Sequence, residues 1–268
     1  MILPMLARTK RSLGQHFLVD SVWIQRILGA VREASTSASA LLEIGPGGGA
    51  LTPGLLDLHL PSWAVEADRE LAAALARERP DLRVVLGDAR ELDLPKLAGS
   101  GARWLVVGNL PYNAGTEILR RILSRPGEVA SAVVMLQREV AWKFCAPAGG
   151  EGYGPLAVWT DGWWERRLLF SGPPGAFRPC PKVISAVCRF DPRERASLPP
   201  GEQVRFWSFL RKAFASPRKA MGAVGRSLGY PVESWAEILE RLGIDRLARP
   251  NRVEPAVWTR LFELRGLR

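Results

Sequence analysis

Short apolar runs alternate with polar stretches of helical period through the first half of the chain. The runs predict strands near residues 41–45, 63–66, 83–86, 104–108 and 131–137. Between them the spacing predicts helices near 50–59, 68–79 and 115–124. An earlier helix is expected from Ser21 to about Arg32, with Val22, Trp23, Ile27, Leu28 and Val31 on one face and Asp20 or Ser21 as its cap. This alternation predicts an α/β domain built on a mainly parallel sheet with helices on both faces. The stretch 147–155, rich in Gly and Pro, reads as a loop, and Glu165–Phe170 and Ser185–Phe190 read as two further strands. Charge and prolines over 191–201 read as a linker. Beyond it, patterns around 202–215, 218–228, 233–241 and 255–265 predict a small all-helical domain. The expected division is therefore 1–192, including a basic arm over 1–11, and 202–268.

Composition narrows the partners more than the fold. The chain has 268 residues, 47% of them apolar and 10 of them Trp, enough for a substantial core. Its formal charge of +10 favours a polyanionic partner. Much of that excess lies at the C-terminal end, where 15 Arg/Lys face 8 Asp/Glu from Arg193 onward. Cys145, Cys180 and Cys188 show no metal-ligand spacing, and with two His in the chain no metal site is expected. Reduced thiols suggest a cytoplasmic protein. No apolar stretch reaches membrane-spanning length, and Met1–Leu6 is too short for a signal-peptide core.

Candidate chemistry gathers at consecutive strand ends. The strand near 41–45 runs into Gly45-Pro46-Gly47-Gly48-Gly49, a turn whose glycines let a ligand approach the backbone. Its G-x-G-x-G spacing differs from the pyrophosphate fingerprint of dinucleotide-binding folds. The next strand ends in Glu66, a carboxylate able to accept from both hydroxyls of a ribose. The third ends in Gly87-Asp88-Ala89, where Asp88 can accept from an adenine amino group. The strand Trp104–Gly108 runs into Asn109-Leu110-Pro111-Tyr112, which suits chemistry on an exocyclic amine. The Asn109 amide oxygen can accept from such an amine. Pro111 restricts Leu110, so that local carbonyls point into a cleft, and Tyr112 offers a face for a base. Open α/β sheets bind ligands at these carboxyl ends.

This series resembles the S-adenosylmethionine-dependent methyltransferase fold, a Rossmann-like sheet. The whole chain resembles the KsgA-type (RsmA) ribosomal RNA adenine N6,N6-dimethyltransferase family. The similarity runs through Ser12-Leu13-Gly14-Gln15-His16-Phe17-Leu18, Leu41 to Thr52, Val65 to Asp68, Gly87 to Ala89, Gly108 to Asn113, Met135 to Ala141 and Phe177-Arg178-Pro179-Cys180-Pro181-Lys182-Val183-Ile184-Ser185-Ala186-Val187. The resemblance implies S-adenosyl-L-methionine as cofactor and ribosomal RNA, within an immature small subunit, as partner. It implies two methyl transfers to each of two adjacent adenosines.

By the same resemblance His16, Leu18, Gly45, Gly47, Glu66, Asp88, Ala89 and Asn109 bind the cofactor. Asn109, Leu110, Pro111, Tyr112 and Phe177 form the catalytic set, with the base held between Phe177 and Tyr112. His16 stands where the family usually has Asn, and Pro217 stands where it usually has a basic residue. Arg211, Lys212, Arg218, Lys219 and Arg226 are candidates for phosphate contacts. Macrolide-resistance methylation of large-subunit rRNA, a non-catalytic rRNA-binding assembly factor and a small-molecule methyltransferase are the competing readings.

Overall fold

The computed structural model describes residues 15–216 and 218–266. The basic arm expected over 1–11, and Pro217, lie outside the described residues. The chain begins with a two-residue strand, β1 (Phe17–Leu18), and helix α1 (Ser21–Ala34). Asp20 caps α1 by accepting the Trp23 N–H at 3.0 Å, and Trp23, Ile27, Leu28 and Val31 are buried on its inner face. There follow β2 (Ala40–Ile44), α2 (Thr52–Leu56), β3 (Ser62–Glu66), α3 (Arg69–Glu78), β4 (Arg83–Leu86), α4 (Leu94–Ala98), β5 (Trp104–Asn109), α5 (Gly115–Leu123), β6 (Val129–Gln137) and α6 (Arg138–Cys145). Next come α7 (Pro155–Asp161), β7 (Trp164–Gly172), β8 (Phe177–Arg178) and β9 (Ser185–Pro192). Helices α8 (Gln203–Ala213), α9 (Met221–Leu228), α10 (Val232–Arg241) and α11 (Pro255–Gly266) complete the chain.

Seven strands form one sheet in the order β4-β3-β2-β5-β6-β9-β7. Pairings from β4 through β6 are parallel, and β9 runs antiparallel to β6. Every residue of β2 and β3 is buried, as expected for parallel strands covered on both faces. The edge strand β4 is more exposed. From β2 the chain winds outward through β3 and β4, then returns to the other side of β2 with β5. The sheet thus reverses its winding between β2 and β5, the place where such sheets bind ligands. Ile44 pairs with Gly108 there, so the Gly45 turn and Asn109 emerge side by side. A Cβ on Gly108 would lie 2.6 Å from the Ile44 carbonyl oxygen, so this close approach requires glycine.

The chain divides into two compact units. One holds the described residues up to Ala141 together with Arg167–Pro192; the other holds Trp142–Arg166 and the residues from Arg193 onward. The expected division at 192 therefore needs a correction: residues 142–166 cluster with the C-terminal helices. Their contacts within that unit supply the reason. The Trp159 indole donates to the Gln203 carbonyl at 3.0 Å, and the Tyr153 hydroxyl donates to the Val253 carbonyl at 2.6 Å. Trp159, Trp163, Phe206 and Trp207 add edge-on and tilted ring contacts.

Helix α7, just after the expected loop, carried no sequence signal beyond Pro155. The helix expected over 50–59 is shorter, with Pro53 in its first turn and an end at Leu56. The small ribbon joining β1 to β8, with Phe17 opposite Arg178 and Leu18 opposite Phe177, was also not expected.

Candidate functional site

The first three strand ends build one wall of a cavity of about 260 Å³ in the sheet unit. Gly47 takes φ +54°, and its N–H donates to Glu66 Oε2 at 3.0 Å. Glu66 Oε1 accepts the Asp68 N–H at 2.9 Å. The Glu66 carboxylate thus has backbone partners at Gly47, Asp68 and Ala67, and with about four lone-pair sites over its two oxygens it keeps acceptor capacity for a further donor. Burial raises the Glu66 pKa, and the N–H groups of Asp68 and Gly47 oppose that rise. A Cβ on Gly47 would lie 3.1 Å from the Phe17 ring, so the absence of a side chain here leaves the cradle open beneath that aromatic.

Asp88 begins the turn after β4 and accepts the Arg90 N–H at 2.8 Å. The Arg90 guanidinium forks onto both Asp88 oxygens, and this bond holds the carboxyl below the usual carboxylate range. Asp88 faces the cavity as an ionised acceptor beside the buried Ala89.

Asn109 closes the opposite wall. Its Nδ2 donates to the His16 carbonyl at 2.9 Å. A carbonyl can only accept, so this contact fixes the amide orientation and turns Oδ1 the other way. Oδ1 is buried and has no hydrogen-bond partner. The Leu110 N–H donates to the Met135 carbonyl at 3.0 Å, and the Pro111 carbonyl accepts from Ala114 and Gly115, which ties the turn to β6 and α5. Tyr112 lies half-buried, its hydroxyl 2.7 Å from Ser185 Oγ, and burial raises its phenol pKa. The His16 ring stacks on Tyr112 with centroids 5.0 Å apart, and His16 Nδ1 donates to the Pro179 carbonyl at 2.7 Å.

His16, Leu18, Gly45, Gly47, Glu66, Asp88, Ala89, Asn109, Leu110, Pro111 and Tyr112 all line this cavity. Leu18 does so while its side chain is buried in the core. Phe177 does not line it. The pairing of β8 with β1 sets Phe177 opposite Leu18, and its side chain is 0% exposed within the core cluster that includes Trp23 and Ile27. The expectation that Phe177 faces Tyr112 is therefore corrected: the ring against Tyr112 is His16. A second cavity shares His16 and Tyr112 and adds Gln137 and the loop from Cys180 to Val183.

Phe17 and Glu43 also line the cavity, without an expected role. Phe17 covers Gly47. Glu43 is buried in β2, accepts from the Thr52 hydroxyl at 2.7 Å, and has its pKa pushed up to about 7 by burial. A lone acid inside the apolar run Leu41-Leu42-Glu43-Ile44 was the signal that could have found it.

These residues fit S-adenosylmethionine. The open cradle at Gly47, the spare acceptor capacity of Glu66 and the orphaned Asn109 Oδ1 are features that a polar ligand and an amine would satisfy. Among the described residues, no group of three or more His, Cys, Asp or Glu could hold a metal ion, and no helix is long and apolar enough to cross a membrane.

The sequence profile described as "Ribosomal RNA adenine dimethylase" matches residues 6–264. A ribosomal RNA small subunit methyltransferase A from Acidithiobacillus ferrooxidans is 38% identical over 260 residues, covering 96% of this chain and 95% of that protein. Its namesake from Xanthomonas campestris is 38% identical over 258 residues, covering 95% of each. The solved structure of the 23S rRNA methyltransferase ErmE superposes with a TM-score of 0.71 at 27% identity, covering 92% of this chain and 98% of that one. A dimethyladenosine transferase from Plasmodium falciparum shares the fold, with a TM-score of 0.78 at 21% identity over 94% of this chain and 98% of that one. The chain belongs to the ribosomal RNA adenine dimethylase family.

Proposed function

We propose that this chain is an S-adenosylmethionine-dependent methyltransferase that dimethylates N6 of two adjacent adenosines in 16S rRNA of an immature small ribosomal subunit. Family membership and relatives named for the small subunit support that reading. A cytoplasmic location follows from the substrate. The observation that carries the chemistry is the buried, unpartnered Oδ1 of Asn109.

S-Adenosylmethionine supplies an electrophilic methyl group when bound. Glu66 holds the ribose through the lone pairs its backbone partners leave free, and Gly45 and Gly47 admit the ligand close to the main chain. Asp88 and Ala89 meet the adenine end, with Arg90 keeping Asp88 an acceptor. His16 and Leu18 close the cavity from the N-terminal side.

The target adenosine must leave its stack before its amine can reach this cavity. Tyr112 then receives the base on the face opposite His16. The amine is a weak nucleophile because its lone pair is delocalised into the ring. Asn109 Oδ1 and the Leu110 carbonyl accept its N–H groups and draw the nitrogen toward a tetrahedral geometry with an available lone pair. Pro111 restricts the backbone that presents these two oxygens. No side chain is needed as a strong base, because the alkylated nitrogen is acidic and releases its proton to water.

Mass spectrometry of nucleosides tests the proposal. Naked rRNA and immature subunits are incubated with the protein and labelled cofactor. Labelled dimethyladenosine in small-subunit rRNA is the expected result. Label confined to large-subunit rRNA favours the resistance-type activity, and RNA binding without label favours a non-catalytic assembly factor.

A further inference from the structure

Two hydrogen bonds tie the run from Pro179 to Ser185 to the cleft. At its start, the Pro179 carbonyl accepts from His16 Nδ1 at 2.7 Å. At its end, Ser185 Oγ lies 2.7 Å from the Tyr112 hydroxyl. Ser185 opens β9, pairs with Gln137 at the end of β6, and is 0% exposed. Its hydroxyl is therefore fixed by the sheet rather than by solvent. The Tyr112 hydroxyl is the side-chain atom farthest from its backbone. A bond at that tip restrains both side-chain torsions together, whereas stacking of His16 on the face restrains mainly the tilt. Burial raises the Tyr112 pKa, so the phenol stays protonated and keeps a hydroxyl for this bond.

Ser185 does not line the cofactor cavity. Its contact reaches the cleft through Tyr112, which is shared with the second cavity at Gln137 and Lys182. We propose that Ser185 is a positioning residue for the target base: its buried hydroxyl sets the plane of the Tyr112 ring on which the flipped adenine stacks. The proposal rests on the methyltransferase reading above.

The test is a double-mutant cycle on the full chain with Ser185→Ala and Tyr112→Phe, measuring methylation of rRNA by steady-state kinetics and binding of S-adenosylhomocysteine by calorimetry. Each single variant is expected to raise KM for RNA about fivefold to tenfold, the scale of one lost hydrogen bond. In Ser185→Ala, whose side chain does not line the cofactor cavity, turnover and S-adenosylhomocysteine affinity stay within about twofold of the parent. The double variant is expected to be no worse than either single variant, because both remove the same bond. Tyr112→Phe keeps the ring and the fold should Ser185→Ala disturb the sheet. Additive losses, an unchanged KM in Tyr112→Phe, or equal weakening of cofactor binding would overturn the assignment. A parent protein that methylates no rRNA would remove the underlying reading, and the role of Ser185 with it.

Discussion

Replacing Asn109 by Ala is expected to separate stability from activity. The substitution removes the Nδ2 bond to the His16 carbonyl, a contact of 2.9 Å worth about 0.5–1.5 kcal/mol net. It also removes a buried Oδ1 that has no partner, and an unsatisfied buried acceptor costs about 1–3 kcal/mol. The two effects oppose each other, so Asn109→Ala should lie within about 1 kcal/mol of the parent in unfolding free energy. Catalysis has no such compensation. A preorganised polar partner at a reacting centre is worth about 10²- to 10³-fold in turnover, and the variant should lose at least that much.

Asn109→Asp sharpens the argument. The aspartate is the better isostere, but one of its oxygens would face the His16 carbonyl where an N–H now sits. Two acceptors in contact force rotation or protonation, so Asp is expected to be less stable than Ala by about 1–3 kcal/mol. Thermal melts give the stability order, and single-turnover transfer of labelled methyl groups to saturating RNA gives the rate. Calorimetry with S-adenosylhomocysteine confirms that the cavity still binds cofactor. An Asn109→Ala protein that melts more than about 2 kcal/mol below the parent, or that turns over within about threefold of it, would refute the reasoning.

Glu43 makes stability depend on pH. Its carboxyl titrates near 7 in the fold against an ordinary 4.5, so between those values the native state holds a proton that the unfolded chain has released. Stability must fall as pH rises through that window, and Glu43→Gln should remove the Glu43 part of the fall, leaving the part due to the raised Glu66 pKa, and gain about 3 kcal/mol over the parent above pH 8, read from chemical denaturation at pH 5 and 8.5. Glu66→Ala should weaken S-adenosylhomocysteine binding by about 10²- to 10⁴-fold if the proposed charge-assisted bonds to the ribose are lost; calorimetric affinity within about threefold of the parent contradicts the ribose assignment. Gly47→Ala places a Cβ at φ +54° and 3.1 Å from Phe17, so a loss of about 1–2 kcal/mol in stability and weaker cofactor binding are expected together. The paired variant Gly47→Ala with Phe17→Leu, measured in the same assays, should recover the part due to crowding and not the part due to the backbone.

Much of the sheet was legible because buried parallel strands announce themselves as apolar runs, and β2 through β6 lie within two residues of the expected positions. The cavity residues Gly45, Gly47, Glu66, Asp88 and Asn109 were legible for a related reason: each sits at a strand's carboxyl end, where a polar residue or a glycine interrupts an apolar run. The short elements were not. Phe17–Leu18 and Phe177–Arg178 are two-residue strands, too short to show any period, and their pairing joins segments about 160 residues apart. Without that ribbon Phe177 reads equally well as a cleft aromatic or a core one. The helix over 155–161 is not legible in the sequence because the Gly and Pro before it signal a loop but leave the next residues unspecified, and its Trp159 finds its hydrogen-bond acceptor at the distant Gln203 carbonyl.

The deeper limit concerns which polar atoms the fold leaves unsatisfied. The sequence presents Asn109 as an acceptor, but an amide offers a donor as well, and its sequence neighbours do not determine which end meets the substrate. The His16 carbonyl, 93 residues away, makes that decision by taking the N–H. The same histidine supplies the ring against Tyr112 and a donor to Pro179, so one residue contacts Asn109, Tyr112 and the loop behind them. Asparagine at position 16 would still provide the backbone carbonyl for Asn109 but could not stack on Tyr112 as an imidazole does. The backbone part of this arrangement therefore survives a change of side chain, whereas the support of Tyr112 depends on it. In His16→Asn the orientation of Asn109 should persist while Tyr112 relies on Ser185 alone, which makes the Ser185 bond matter most where the histidine is absent.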